Sequence, residues 1–568
     1  MTNLRKRLSR LYPEDVVNSL AARIEARVNE TKQQKLTRKS KWDEKDIVLI
    51  TYGDGDQFQE EAEKRLTSFK KMYDGYLKSV FELVHFLPFY PYSSDDGFSV
   101  IDYKQVNPEL GDWSDIHEME KSARLMFDFV CNHMSAKSDW FQRYLAGDPE
   151  FANFFVEMAR NTDLSSVTRP RATPVLTPFK FTSGEEKYIW TTFSDDQIDL
   201  NFANPEVLYR MVDVLLFYLE QGAEYVRLDA VGFMWKVPGT SSIHLEETHE
   251  IVKLFRDLVD MSAPGTIIVT ETNVPHVDNI SYFGNGEKEA HMVYQFPLPP
   301  LVLHAIHHGN AAFLSDWARN LELPEGKRTF FNFLASHDGI GLNPVRGIIP
   351  EAEILALVNE LEREGALVSY KKNPDGSKSP YEINVTYMDA LSKQTDSDLA
   401  RLHRFVVAHA VLLSIPGVPA VYIQSILGSR NDVAGVAKTG QNRSINRKKY
   451  NLTEITAEIE DKGSLRNATY EALTKLINVR KSESLFHPEI QMEVIDSPAE
   501  LFVIKRFSGA ESLILIHNLS EKEVDYSIDS GIYTNIYTNS TITGSDSITL
   551  SGYEFCWLKT KNYREEQK

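Results

Sequence analysis

The residues best suited to chemistry close three apolar runs. Glu224-Tyr225-Val226 leads into Arg227-Leu228-Asp229 and then the small residues Ala230-Val231-Gly232. Thr266-Ile267-Ile268-Val269-Thr270 ends in Glu271, and the run from Thr329 to Leu334 leads to Ser336-His337-Asp338. A strand interior has no use for unpaired charge, whose burial is costly. Charges at strand ends therefore face each other or a substrate. Arg227 and Asp229 stand two residues apart, so both side chains leave the same face of a strand. The guanidinium is expected to keep Asp229 ionised, as a nucleophile requires. Glu271 has no base beside it in sequence, and an apolar strand end would raise its pKa, as a general acid requires. Carboxylates on neighbouring strands can approach to ~5 Å, the separation of a retaining double displacement at a glycosidic bond.

The elements that must position these groups alternate along the chain. Apolar runs at Ile47–Tyr52, Glu82–Phe89, Ala123–Val130, Tyr225–Val231, Thr266–Thr270, Met292–Phe296, Thr329–Leu334 and Ala420–Ile423 read as strands. Helical patterns such as Pro205–Gln221 and His249–Met261 lie between most of them. Eight strands alternating with helices predict an α/β fold, a parallel (β/α)8 TIM barrel whose strand ends carry the site. The expected organisation is an N-terminal helical extension over 1–45, a catalytic barrel over 46–485 and a C-terminal antiparallel β domain over 486–568. Two insertions, about 134–204 and 339–397, follow strands three and seven and are expected to wall the site.

Composition narrows the class. The chain has 568 residues, 42% hydrophobic and 25% charged, the balance of a soluble globular protein. A net charge of −19 disfavours nucleic acid and acidic membrane surfaces as partners. The two cysteines, Cys131 and Cys556, lie far apart, and Cys131 falls in an apolar run; buried thiols in a reducing compartment are expected. The apolar stretch Phe405–Ile423 is interrupted by His409, Ser414, Pro416, Gly417 and Pro419, and reads as a buried helix, a turn and a strand rather than a membrane span. The start of the chain is basic without an apolar core segment, so a cytoplasmic protein is expected. His307-His308 are adjacent and share no helix face, which argues against a ligand pair. Asn132 could contribute to a calcium site of the kind some amylases hold, yet no cluster of oxygen ligands completes one. No metal and no cofactor are expected.

These motifs, in this order, resemble the α-amylase-type glycoside hydrolase superfamily over about residues 46–450. Asp128-Phe129-Val130-Cys131-Asn132-His133, Arg227-Leu228-Asp229, Val269-Thr270-Glu271-Thr272 and Ser336-His337-Asp338 are similar to its four signature regions. Asp96-Gly97-Phe98, Arg169-Pro170-Arg171, Gln197-Ile198-Asp199, His337-Asp338-Gly339-Ile340-Gly341 and Arg443-Ser444-Ile445-Asn446-Arg447 resemble its sucrose-phosphorylase branch. The resemblance implies Asp229 as nucleophile, Glu271 as general acid/base and Asp338 as stabiliser of the transition state. It implies a glucose pocket of Asp96, Phe98, His133, Phe193, Gln197, Arg227, His337 and Arg443. Vicinal hydroxyls suit carboxylate, His and Arg partners, and aromatic faces suit the C–H side of a sugar.

A phosphorylase receives phosphate where a hydrolase receives water, which calls for cationic or hydroxyl groups beside the intermediate. The resemblance points to Arg171, although Ala172 stands where that branch has a second proline, and to Tyr381 in Ser379-Pro380-Tyr381-Glu382-Ile383-Asn384. The N-terminal extension, Asp375-Gly376-Ser377-Lys378-Ser379-Pro380-Tyr381 and Leu427-Gly428-Ser429-Arg430-Asn431-Asp432 look most like the glucosylglycerate phosphorylases, and next like the sucrose 6′-phosphate phosphorylases. The implied reaction is glucosylglycerate plus phosphate to α-D-glucose 1-phosphate plus D-glycerate. Sucrose, sucrose 6′-phosphate or glucosylglycerol phosphorolysis and an α-glucosidase remain open, as does a catalytically dead barrel serving as a scaffold. Arg430 is the expected clamp for the acceptor carboxylate, with Lys438 second. Partners would be a small sugar and phosphate, and a homodimer is left open.

Overall fold

A computed structural model of the chain describes residues 2–31, 41–54, 64–171, 173–284, 288–322, 328–373, 377–544 and 547–560. Asp375 and Gly376 of the acceptor-loop resemblance lie outside them.

Eight parallel strands close on themselves: β1 (Val48–Thr51), β2 (Leu83–Phe86), β3 (Arg124–Val130), β4 (Ala223–Asp229), β5 (Ile267–Thr270), β6 (Met292–Tyr294), β7 (Thr329–Phe333) and β8 (Val418–Tyr422). Each pairs with its neighbours in chain order, and β8 returns to β1 through Val48 opposite Ala420. Such strands are covered on both faces, which is why they read as unbroken apolar runs. All the residues of β1, β2, β5, β6, β7 and β8 are buried. The barrel matches the expected fold. In detail, β4 ends at Asp229 rather than Val231, and Cys131 follows β3 rather than lying within it. Both cysteines are buried and free.

The insertion after β3 holds a small antiparallel sheet, Glu157–Met158, Leu176–Lys180 and Glu186–Trp190, over its own cluster of Val156, Val167, Val175 and Trp190. The insertion after β7 contains a helix, Glu351–Arg363, and an antiparallel sheet of Ile340–Gly341, Leu367–Lys372 and Lys378–Asn384. Both stand at the C-terminal end of the barrel.

Two N-terminal helices, α1 (Thr2–Leu11) and α2 (Glu14–Glu30), bury Leu4, Leu8, Val17, Leu20 and Ile24 against the outer helices. Arg7 reaches Glu250 and Asp257 at 3.3 and 3.2 Å, and Arg27 reaches Asp213 and Glu220 at 2.6 and 2.7 Å. At the other end of the chain, six antiparallel strands form one sheet, with Leu501–Ser508, Glu511–Asn518 and Phe555–Thr560 at its centre. Alternation decides its two faces. Phe502 and Ile504 join the main core, whereas Leu501 and Val503 face a separate cluster with Ile516 and Leu558. Among the described residues no helix is long and apolar enough to cross a membrane.

Candidate active site

The register of β3, β4 and β5 brings the charged strand ends together. Asp128 lies opposite Arg227, Arg227 opposite Val269, and Val130 opposite Asp229. Arg227 is buried and its Nη1 donates to both Asp128 and Asp229, the latter at 2.7 Å. Its Nη2 lies 3.7 Å from Glu271 Oε2. Ala230 takes a left-handed conformation at φ 49, and its N–H donates to the same Glu271 oxygen, 3.1 Å away. Asp128 also holds His85 Nε2 at 2.7 Å. Behind β7, Arg443 pairs with Asp338 at 2.6 Å and grips Glu382 with two bonds of 3.0 and 2.7 Å.

These groups divide by protonation. Burial opposes charge on Asp338, but Arg443, Arg227, Arg447 and Arg171 outweigh it and hold the carboxyl below its usual range. Burial raises Glu271, as expected from its strand end, with Asp338 adding to it and Arg227 opposing. The expectation for Asp229 needs correction. Burial pushes it up, and the pull of Arg227 is met by repulsion from Glu271, Asp128 and Asp338. One guanidinium serves Asp128 as well, so its pull on Asp229 is divided.

The carboxylates open on a cavity of about 350 Å³. Asp229, Glu271 and Asp338 line it together with Phe98, His133, Phe193, Gln197, His337 and Arg443. Phe98 stacks on His337 at 4.6 Å, and His133 Nε2 donates to the Phe98 carbonyl at 2.9 Å, fixing the tautomer that lets Nδ1 accept from Asn132. Arg227 is not part of the surface; it stands behind the carboxylates.

A family model described as "Alpha amylase, catalytic domain" matches residues 75–339. The glucosylglycerate phosphorylase of Escherichia coli (strain K12) is 57% identical over 524 residues, covering 92% of this chain and 93% of that one. The chain belongs to the glucosylglycerate phosphorylase family. A glucosylglycerate phosphorylase of Spirochaeta thermophila is 44% identical over 533 residues, 91% of this chain and 90% of that protein. The crystal structure of sucrose 6F-phosphate phosphorylase from Thermoanaerobacter thermosaccharolyticum superposes with a TM-score of 0.73 at 25% identity, covering 88% of this chain and 98% of that one. The protein is an enzyme of the phosphorylase type, and the motif resemblance is borne out.

Against this family background, four expected site residues are placed elsewhere: Arg227, expected in the glucose pocket, stands behind the carboxylates, and three more lie off the cavity. Asp96 does not reach the cavity. It turns away to Arg447 at 2.6 Å, and the neighbouring Asp95 lines the cavity instead. Both aspartates have positive φ, 50 and 47, so two successive side chains diverge in a tight turn. Arg430 is not a clamp for an acceptor. It is half exposed, bonded through Nε to Asp389, and does not line the cavity. Lys438 is exposed on the helix Val433–Thr439, likewise away from the cavity. Arg171 and Tyr381 do line it. Among the described residues Arg171 has no hydrogen-bond or ion-pair partner. Burial raises Tyr381, which keeps its phenol neutral and able to donate.

Sequence reasoning passed over Glu382, Asn343, Arg346 and Lys371. Glu382 stands beside Tyr381, and strand alternation is the signal that could have assigned it to the opposite face, toward Arg443. The others lie in polar stretches with no pattern to mark them. Among the described residues, His304, His308 and Glu353 bring three ligand-type atoms within 4.8 Å of one another, although His304 already bonds Glu353 at 2.8 Å.

Asn132 also finds a partner that no motif announced. Its Oδ1 and Asp199 Oδ2 each lie 2.7 Å from the Lys236 ammonium, whose side chain is 2% exposed. Asp199 is further bonded by Thr192, through both its N–H and its hydroxyl, and by Asn132 Nδ2. Replacing Lys236 by methionine leaves a buried carboxylate without its counter-charge, and is expected to cost about 3–5 kcal/mol of stability. Urea unfolding of the variant beside the wild type checks this; a loss under about 1 kcal/mol would mean that Asp199 relaxes into water or takes up a proton cheaply.

Proposed function

We propose that the enzyme transfers a glucosyl unit from 2-O-α-glucosylglycerate to phosphate, releasing D-glycerate and α-D-glucose 1-phosphate with retention. Asp229 Oδ attacks the anomeric carbon while the glycosidic C–O bond breaks and Glu271 gives its proton to the departing glycerate oxygen. A phosphate oxygen then attacks the same carbon, the Asp229 ester bond breaks, and Glu271 recovers the proton from phosphate. Asp338, ionised beside Arg443, holds ring hydroxyls and stabilises positive charge developing at the anomeric carbon. Phe98, His133, Phe193, Gln197 and His337 enclose the sugar.

The observation that carries the phosphorylase reading is Arg171. A guanidinium with no hydrogen bond or ion pair among the described residues faces the cavity that holds Asp229 and Glu271. Water needs no such group, whereas a phosphate dianion does. Tyr381 adds a neutral donor on the same wall. The buried free thiols and the acidic surface fit a cytoplasmic enzyme of small molecules.

The test is product analysis. The purified enzyme is incubated with phosphate and, separately, with glucosylglycerate, sucrose, sucrose 6′-phosphate and glucosylglycerol. Glucose 1-phosphate from glucosylglycerate alone is expected. Glucose 1-phosphate from another donor would overturn the acceptor assignment, and free glucose in its place would overturn the phosphate site.

A further inference from the structure

With Arg430 and Lys438 away from the cavity, the acceptor's carboxylate needs another partner. The cavity wall carries five cationic side chains: Arg169, Arg171, Arg346, Lys371 and Arg443. Most are engaged. Arg443 is neutralised by Asp338 and Glu382. Arg346 pairs with Glu351 through Nη1 and donates to the Pro380 carbonyl through Nη2 at 3.1 Å. Arg169 donates to the Thr173 carbonyl.

Lys371 differs from these. It is the penultimate residue of the strand Leu367–Lys372 in the insertion after β7, and its side chain is partly buried on the wall it shares with Tyr381. Its ammonium donates to one neutral group, Asn343 Oδ1, at 3.0 Å. Among the described residues no carboxylate lies within ion-pairing distance of it. An ammonium has three donors, so two remain for a ligand. Burial lowers its pKa and Arg346 lowers it further, and Glu351, beyond ion-pairing distance, offsets them only in part. Holding such a charge without a counter-ion is unfavourable unless a ligand supplies one.

We propose that Lys371, oriented by Asn343, is the residue that selects an anionic acceptor: its ammonium receives the carboxylate of glycerate. This rests on the glucosylglycerate reading above. It gives the two cations that make no ion pair among the described residues separate tasks, Arg171 for phosphate and Lys371 for the carboxylate.

Glycerol is the matching probe, since it carries a CH2OH where glycerate carries the carboxylate. Synthesis from α-glucose 1-phosphate is measured with each acceptor for the wild type, Lys371→Met and Lys371→Arg. In Lys371→Met the ratio of kcat/KM for glycerate over glycerol is expected to fall about 10–100-fold, the range for losing a hydrogen bond to a charged group, chiefly through the KM for glycerate. Lys371→Arg is expected to recover part of it. The ratio is read within one preparation, so partial unfolding lowers both rates alike. A ratio within about 3-fold of wild type in Lys371→Met, or an equal rise in the KM for glucose 1-phosphate, would overturn the assignment. A wild-type enzyme that does not prefer glycerate would overturn the substrate reading itself, and with it this one.

Discussion

Asp229→Asn is expected to lose phosphorolysis by about 10⁴-fold or more, the scale on which removal of a covalent catalytic group acts. The loss should appear in kcat with every donor, because the ester cannot form whatever the leaving group. The same variant reports on the charge balance of the site. In the folded wild type, burial and three neighbouring carboxylates raise Asp229 above the value of about 4 that it has in an unfolded chain. A raised group contributes stability that is complete below the unfolded value and is lost as pH rises through the folded one. Asparagine does not titrate. The stability of Asp229→Asn relative to wild type should therefore climb with pH from about 4 upward, even though Arg227 loses one of its partners. Urea unfolding at pH 5 and pH 7 measures the difference. A gap that does not change with pH would mean that Arg227 alone keeps Asp229 ionised.

Glu271→Gln is expected to slow phosphorolysis of glucosylglycerate by roughly 10²–10⁴-fold, the contribution of a positioned general acid. The effect should depend on the leaving group. Glycerate departs as an alkoxide unless protonated, whereas the phosphate of glucose 1-phosphate leaves with its charge already delocalised. Release of glucose from glucose 1-phosphate in water should need Glu271 far less in its first step. Glu271 must begin protonated, and burial raises its value. In the wild type kcat/KM is expected to fall on the alkaline side as that proton is lost, and Glu271→Gln should abolish the alkaline limb. An alkaline limb that survives in the variant would assign it to another group, Tyr381 first.

Much of this was legible in the sequence because parallel strands are apolar throughout and a barrel places its chemistry where they end. Arg227, Asp229, Glu271 and Asp338 stand out for that reason. What failed to show depends on groups distant in the chain or on backbone twist. The spacing of Arg227 and Asp229 reveals their pairing, but not that Asp128 competes for the same guanidinium from 99 residues away. Asp95 and Asp96 are consecutive, and only their left-handed turn decides which one lines the cavity. Arg430 looks available in a polar loop until Asp389, 41 residues earlier, folds onto it. Lys371 lies in a polar stretch and goes unmarked for the complementary reason, since nothing in its neighbourhood shows that no carboxylate among the described residues will come within ion-pairing distance.

The ammonium of Lys236 has a consequence of a different kind. It fills a gap between two acidic or amide oxygens, a task a dissolved ion could perform only while its supply lasted. A cation tethered by covalent bonds is delivered at synthesis, once per chain, and dilution cannot strip it. The segment that carries Asn132 and brings His133 to the cavity is thus insured against the composition of the surrounding fluid.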